Sequence, residues 1–333
     1  MIKIDGQDSG GQTLRTSLSL SVLTQKPFKI INIRGKRKNP GLQKQHLTAV
    51  NAIAKICNAK VKGNEINSKE LEFTPSKVVS GRYVFDIGSA GSTTLVLQTL
   101  LPALIFTKEK TILKIIGGTS NPLAPPALYI KGVFLWYLKT LGFNVEVNVE
   151  KEGFVPKGGG RILAKISPCK KLKVLNLIDR GPLEKIYVFA VSSQSLREKD
   201  IAGRLLDGFT KIIKDNLETH KQYVDSLDSG CFIAAIADYE KARIGYSVLG
   251  KLGVKSEDIG KECAKNLLEE INSKCIVDYF TADQLLIYMA LNSQGKLITS
   301  KITEHTQNNI EVIEKFLDVK FTIKGNEISV SKK

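Results

Sequence analysis

Apolar positions along this 333-residue chain alternate between two spacings. Every-second-residue runs predict strands, and i, i+3, i+4, i+7 runs predict helices. The order strand, helix, strand, helix, strand, strand occurs three times. The first unit runs MIKID, the helix QTLRTSLSLSVLT, the strand FKIINIRG, the helix GLQKQHLTAVNAIAKIC, then the strands AKVKGNEI and KELEFTP. The second runs YVFDIG, GSTTLVLQTLLPALIF, TILKIIGG, PPALYIKGVFLWYLKTLGF, NVEVNVEKEG and GRILAKIS. The third runs CIVDYF, TADQLLIYMALN, KLITSKIT, HTQNNIEVIEKFL, VKFTIKG and EISVS. The expected class is therefore α/β, in α+β layers, with a large domain of three repeated units over 1–178 and 275–333. Residues 179–274, which include YVFAVSS, a lysine-rich helix and CFIAAIADYE, break the pattern and are expected to form a smaller inserted α/β domain.

Repetition has a geometric consequence. Loops at equivalent places in three related units are expected to meet around a pseudo-symmetry axis. Those loops are INIRGKRKNPGL, IIGGTSNPLAPP and ITSKITEHTQNN, and the third carries His305 just ahead of a predicted helix.

Charge narrows the class of ligand. Lys and Arg outnumber Asp and Glu by 49 to 33, a net charge of +16, which favours polyanions such as nucleic acid or nucleotide phosphates. The most apolar stretch, TTLVLQTLLPALIF, is too short to span a bilayer and is broken by Gln98 and Pro102, so no membrane role is expected. MIKIDGQDSGG has no secretory pattern, which points to the cytoplasm. The five cysteines are widely spaced with no C-x-x-C, so neither a zinc site nor a disulfide framework is indicated.

Several segments carry candidate chemistry. RGKRKNPG places Arg34, Lys36, Arg37 and Lys38 just before a helix start, where forked guanidinium donors and free N–H groups suit phosphate, although a solvated basic turn reads the same way. GQDSGGQTLR and IGSAGSTT each join a strand to a helix, another setting for phosphate. Asp5 and Asp8 beside the first of these are plausible hard ligands for magnesium or manganese, or ordinary turn residues. GYSVLGK has P-loop spacing but continues with Leu252, which cannot ligate a metal. KIDG matches a lysine-nucleophile motif through Lys3. His305 is one of three histidines. At a helix start it is either an exposed polar residue or a neutral imidazole with a lone pair available for attack on phosphorus.

Together GGQTLR, RGKRKNPGLQKQHLTAV, IGSAGSTTLVLQTLLPAL, GGTSNPLAPP, GFVPKGGG, ADQ and the His305 segment resemble, in order and nearly end to end, the RNA 3'-terminal phosphate cyclases. The resemblance implies a large domain of three α/β units with a smaller one inserted before the third. It implies that His305 attacks the α-phosphorus of ATP and that AMP passes to an RNA 3'-phosphate. The neighbouring 2'-hydroxyl then displaces AMP, leaving a 2',3'-cyclic end. It further implies that Arg15, Arg34, Arg37 and Gln45 handle the phosphates of ATP and RNA. Gln98 and the stretch Phe280, Thr281, Ala282, Asp283, Gln284 fall at ATP-binding positions, and Asp8 falls where the family uses a metal-binding glutamate. Retention of His305, Arg15, Arg34 and Arg37 separates the chain from the non-catalytic branch of the same fold. A lysine-nucleophile ligase would need downstream motifs that are not found, and a generic RNA binder leaves the three-loop arrangement unexplained.

Overall fold

The computed structural model of the protein describes residues 1–169 and 171–333. Its first sheet has the order β1-β2-β4-β3, from β1 (Ile2–Asp5), β2 (Phe28–Ile31), β3 (Lys60–Lys62) and β4 (Leu71–Thr74). Between them run α1 (Gly11–Thr24) and α2 (Lys44–Cys57). The second sheet repeats the order as β5-β6-β8-β7, from β5 (Arg82–Asp86), β6 (Thr111–Gly117), β7 (Val145–Lys151) and β8 (Gly160–Ile166). Its helices are α3 (Thr93–Leu104) and a second one in which α4 (Ala127–Tyr129) and α5 (Leu135–Thr140) are joined by a π-helical turn, Ile130–Phe134. In both sheets the first pair is parallel and the rest antiparallel.

The third unit departs from the sequence expectation. Its first strand is β9 (Leu175–Leu177), which pairs in parallel with a strand 120 residues further on in register, Leu175 opposite Gly295. Between them lies a fourth sheet, order β11-β10-β12-β13, built from β10 (Leu183–Ser193), β11 (Leu217–Val224), β12 (Cys231–Tyr239) and β13 (Arg243–Leu249). Helices α6 (Ile201–Thr210) and α7 (Ser256–Asn272) pack on each other and on this sheet. The chain then resumes with α8 (Tyr279–Leu291), β14 (Gly295–Ile298), α9 (Glu304–Phe316), β15 (Val319–Lys324) and β16 (Glu327–Lys332). The extra sheet thus interrupts the third unit between its first strand and its first helix. CIVDYF, expected to be that first strand, instead makes one isolated bridge, Val277 to Thr299, and enters a helix. The cause is local: the Asp278 carboxylate accepts the Thr281 N–H at 2.8 Å, an N-cap that starts α8 at Tyr279.

The helices of the three units meet through α1, which packs on α2, α3 and α9. Its SLSLS segment permits this closeness: Ser17, Ser19 and Ser21 are buried, and the Ser19 hydroxyl donates to the Thr99 carbonyl of α3 at 2.7 Å. Phe28 of the first sheet lies edge-on to Phe316 of α9 with centroids 5.9 Å apart. Phe143 does the same with Tyr288 of α8 at 5.4 Å. One continuous apolar core therefore runs beneath all three units, and their connecting loops gather above it. Among the described residues no helix is long and apolar enough to cross a membrane.

Candidate active site

The gathered loops enclose a cavity of about 700 Å³ lined from every unit and from the interrupting segment. Arg15, Arg34, Arg37, Gln45, Gln98, Phe280, Asp283, Gln284 and His305 all line it. Sequence positions far apart are thus brought to one place.

His305 lies one residue inside α9, slightly past the expected position ahead of the helix. Thr303 caps the helix: its hydroxyl accepts the Thr306 N–H at 3.0 Å, while the Thr306 hydroxyl accepts the Thr303 N–H at 3.2 Å. Both hydroxyls also donate to the Asp283 carboxylate, Thr303 at 3.2 Å. Asn309, one turn on, donates to the Asp283 carbonyl at 2.8 Å and accepts from Thr16 of α1 at 2.7 Å. The nucleophile candidate therefore stands on a helix start fastened to both neighbouring helices. Partial burial lowers its pKa, and the Arg37 and Arg15 charges lower it further against a weaker opposing pull from Glu304. The imidazole is neutral at pH 7 and keeps a lone pair.

Opposite it the cavity is cationic. Arg15 rises from α1, and burial depresses its guanidinium to about 10, still charged at neutral pH. Arg34 adopts a left-handed backbone, φ 55°, and donates to the Asn39 and Gly41 carbonyls, so it shapes the basic loop as well as facing the cavity. Arg37 lies against Gly10 at the start of α1, whose cap residue offers no side chain to the first-turn N–H groups. Gln45 accepts the Ser92 N–H at 3.0 Å and so ties this end to α3. Fixed cations around a helix N-terminus make an anion cradle.

The other end is apolar and aromatic. Phe280, 40% exposed, leans on Tyr246 of β13 with centroids 5.8 Å apart, and Tyr129 closes the wall. The Gln98 amide donates to the Gln284 side chain across the cavity. The predicted stretch Phe280–Gln284 divides by helical geometry: Phe280, Asp283, Gln284 and Ile287 share the cavity face, while Thr281 and Ala282 point away and are fully buried. Burial pushes the Asp283 carboxyl up to about 7, against the two threonine donors that hold it down.

Asp8 lies outside the lining, exposed and ion-paired with Lys36. Among the described residues no group of three or more His, Cys, Asp or Glu side chains is placed to hold a metal ion. A magnesium or manganese ion there would rest on this one carboxylate and on the phosphates of a bound nucleotide.

Two contributors escape sequence reasoning. His46, in the first turn of α2, is buried against Gly11 and Arg15, with its pKa pushed down to about 3 by burial and then by Arg15 and Arg34. Its Nδ1 accepts the Gln43 N–H at 3.3 Å, so the QKQH spacing is itself a capping signal. Tyr246 carries no local signal, because its role depends on a sheet built from the interrupting segment.

A family model for "RNA 3'-terminal phosphate cyclase" matches residues 7–323. Relatives bearing the same name include proteins from Pyrococcus furiosus, 39% identical over 98% of this chain and 96% of the relative, and Staphylothermus marinus, 40% identical over 98% and 95%. A third, from Saccharolobus solfataricus, is 41% identical over 98% of this chain and 97% of its own. With these likenesses spanning the whole cavity lining, the chain belongs to the RNA 3'-terminal phosphate cyclase family.

Proposed function

We propose that the protein is an ATP-dependent RNA 3'-terminal phosphate cyclase that works through an adenylate on His305. A neutral imidazole nitrogen attacks the α-phosphorus of ATP. An N–P bond forms, the bond to pyrophosphate breaks, and the imidazole gives up its excess proton. An oxygen of the RNA 3'-phosphate then takes the AMP from the histidine, converting a poor leaving group into a good one. The vicinal 2'-hydroxyl attacks the 3'-phosphorus, losing its proton as AMP departs, and a 2',3'-cyclic phosphate remains.

The observation that carries this reading is the shared cavity: His305, in the first turn of α9, lines it together with Arg15, Arg34 and Arg37, and burial and then the Arg37 and Arg15 charges lower the imidazole pKa. A nucleophile needs the lone pair, and the pentavalent phosphorus transition state needs the positive charge beside it. Arg34 and Gln45 complete the phosphate end. Gln98, Phe280, Asp283 and Gln284 serve the nucleoside end, with adenine against the Phe280 ring. Ala282 acts only by packing α8, and Thr281 acts behind the wall, through packing and its hydrogen bonds to Asp278. In this reading residues 179–274 are a smaller domain whose β13 edge completes the nucleotide wall.

The test is an RNA ending in a 3'-phosphate, incubated with ATP and the full chain. Conversion to an end that phosphatase cannot remove supports cyclisation. ATP consumption without protection would mean a different acceptor.

A further inference from the structure

Asp278 belongs to no motif that the function above uses, yet it is wholly buried at the back of the nucleoside wall. One carboxylate oxygen accepts the Tyr129 hydroxyl and, at 2.8 Å, the Thr281 N–H. The other accepts the Gly245 N–H at 3.1 Å and the Thr281 hydroxyl at 3.3 Å. A helix cap requires only the Thr281 N–H. The donors from Tyr129 and Gly245 come from two other segments, α4 and β13, which approach closely here. A Cβ on Gly245 would stand 2.7 Å from a Val133 methyl and 2.8 Å from the Tyr129 ring. Each donor adjoins a piece of the cavity wall: Tyr129 lines it directly, Gly245 precedes Tyr246, and Thr281 follows Phe280. A carboxylate this deep is costly unless its lone pairs are filled, and four donors fill them.

We infer that Asp278 is a positioning residue for the nucleotide: it locks α4, strand β13 and the start of α8 into one wall, which makes the interrupting segment part of the ATP site. The inference rests on reading the cavity as an ATP site. Among the described residues none of Arg15, Arg34, Arg37, Gln45 or His305 hydrogen-bonds to Asp278, so its loss should be felt in ATP binding and hardly in transfer to RNA.

The experiment measures ATP binding by calorimetry to full-length His305→Ala chain, with and without Asp278→Asn, and separately with Tyr129→Phe. Asparagine keeps a single acceptor oxygen, so if that oxygen keeps the Thr281 N–H cap its NH2 group confronts the Gly245 N–H, whereas Tyr129→Phe removes one hydroxyl and leaves the cap intact. Expected are a Kd for ATP raised on the order of tenfold by Asp278→Asn and about threefold by Tyr129→Phe. In the chain that retains His305, transfer of preformed AMP to a 3'-phosphorylated RNA should change by less than about threefold. Unchanged ATP affinity in either variant, or transfer falling in step with binding, would overturn the inference. If Asp278→Asn does not fold, Tyr129→Phe decides by the same criterion. Binding is read without adenylation, so a chain that binds ATP but never forms an adenylate would sink the cyclase mechanism and leave this measurement standing.

Discussion

Thr306 joins stability to chemistry in a single hydroxyl. It is fully buried, donates to the Asp283 carboxylate, and accepts the Thr303 N–H at 3.2 Å. Thr306→Val keeps the shape and removes both interactions. A hydrogen bond to a carboxylate contributes about 1.5–3 kcal/mol, and a buried N–H left without an acceptor costs about 1–3 kcal/mol. The two share one turn that can relax, so the low ends apply and the expected loss is about 2.5 kcal/mol. That is a large fraction of a typical total of about 5–15 kcal/mol, so the protein stays folded but weakened. In urea unfolding followed by circular dichroism the midpoint should fall by about 0.8 M for a slope of about 3 kcal/mol/M. Single-turnover adenylation should slow as well, because the turn that holds His305 loosens. Removing a donor also raises the Asp283 pKa beyond about 7, since that hydrogen bond holds it down. A loss under about 0.5 kcal/mol with unaltered adenylation would show that this network does not hold the nucleophile.

Other consequences follow from the same geometry. In the proposed mechanism His305 attacks as the neutral imidazole, and its pKa lies below the ordinary 6.5, so adenylation should fail only on the acid side of that value. Arg37→Ala should move this limb upward, and a pH profile with an unmoved limb would refute the role of Arg37. His46 is held neutral with its pKa down at about 3, so its contribution to stability is present above pH 6.5 and is lost as pH falls through that window. His46→Gln should flatten the difference between urea midpoints at about pH 7 and about pH 4.5, and an unchanged difference would count against it. A Cβ at Gly11 would collide with the His46 ring and stand 2.9 Å from an Arg15 guanidinium nitrogen. Gly11→Ala should therefore cost about 1–3 kcal/mol in unfolding and slow adenylation on the order of a hundredfold by displacing Arg15, and wild-type rates would contradict that placement.

Long periodic elements were legible in the sequence because each carries its own signal. The helices of all three units and the paired final strands fall where hydrophobic spacing puts them. β9 was missed because a three-residue strand, LNL, has no periodicity to read and its partner β14 lies beyond the interrupting segment. CIVDYF misled for the opposite reason: its Cys275, Ile276 and Val277 are buried as in a strand, but Asp278 caps a helix there. At the site, Arg15, Arg34, Arg37 and His305 were recoverable from their motifs. Motif matching took Phe280 to Gln284 as one block, whereas a helix turns about 100° per residue and gives only some of the block to the cavity. Tyr246 and the Asp278 node depend on contacts between segments remote in sequence, which no local pattern encodes.

The central claim is that His305 carries the adenylate. The most direct measurement is incubation of the full chain with ATP labelled at the α-phosphate, followed by proteolysis and mapping of the labelled peptide. The account predicts acid-labile AMP on the peptide that contains His305, absent in His305→Ala. Label on Lys3, or an undiminished adduct in His305→Ala, would contradict it.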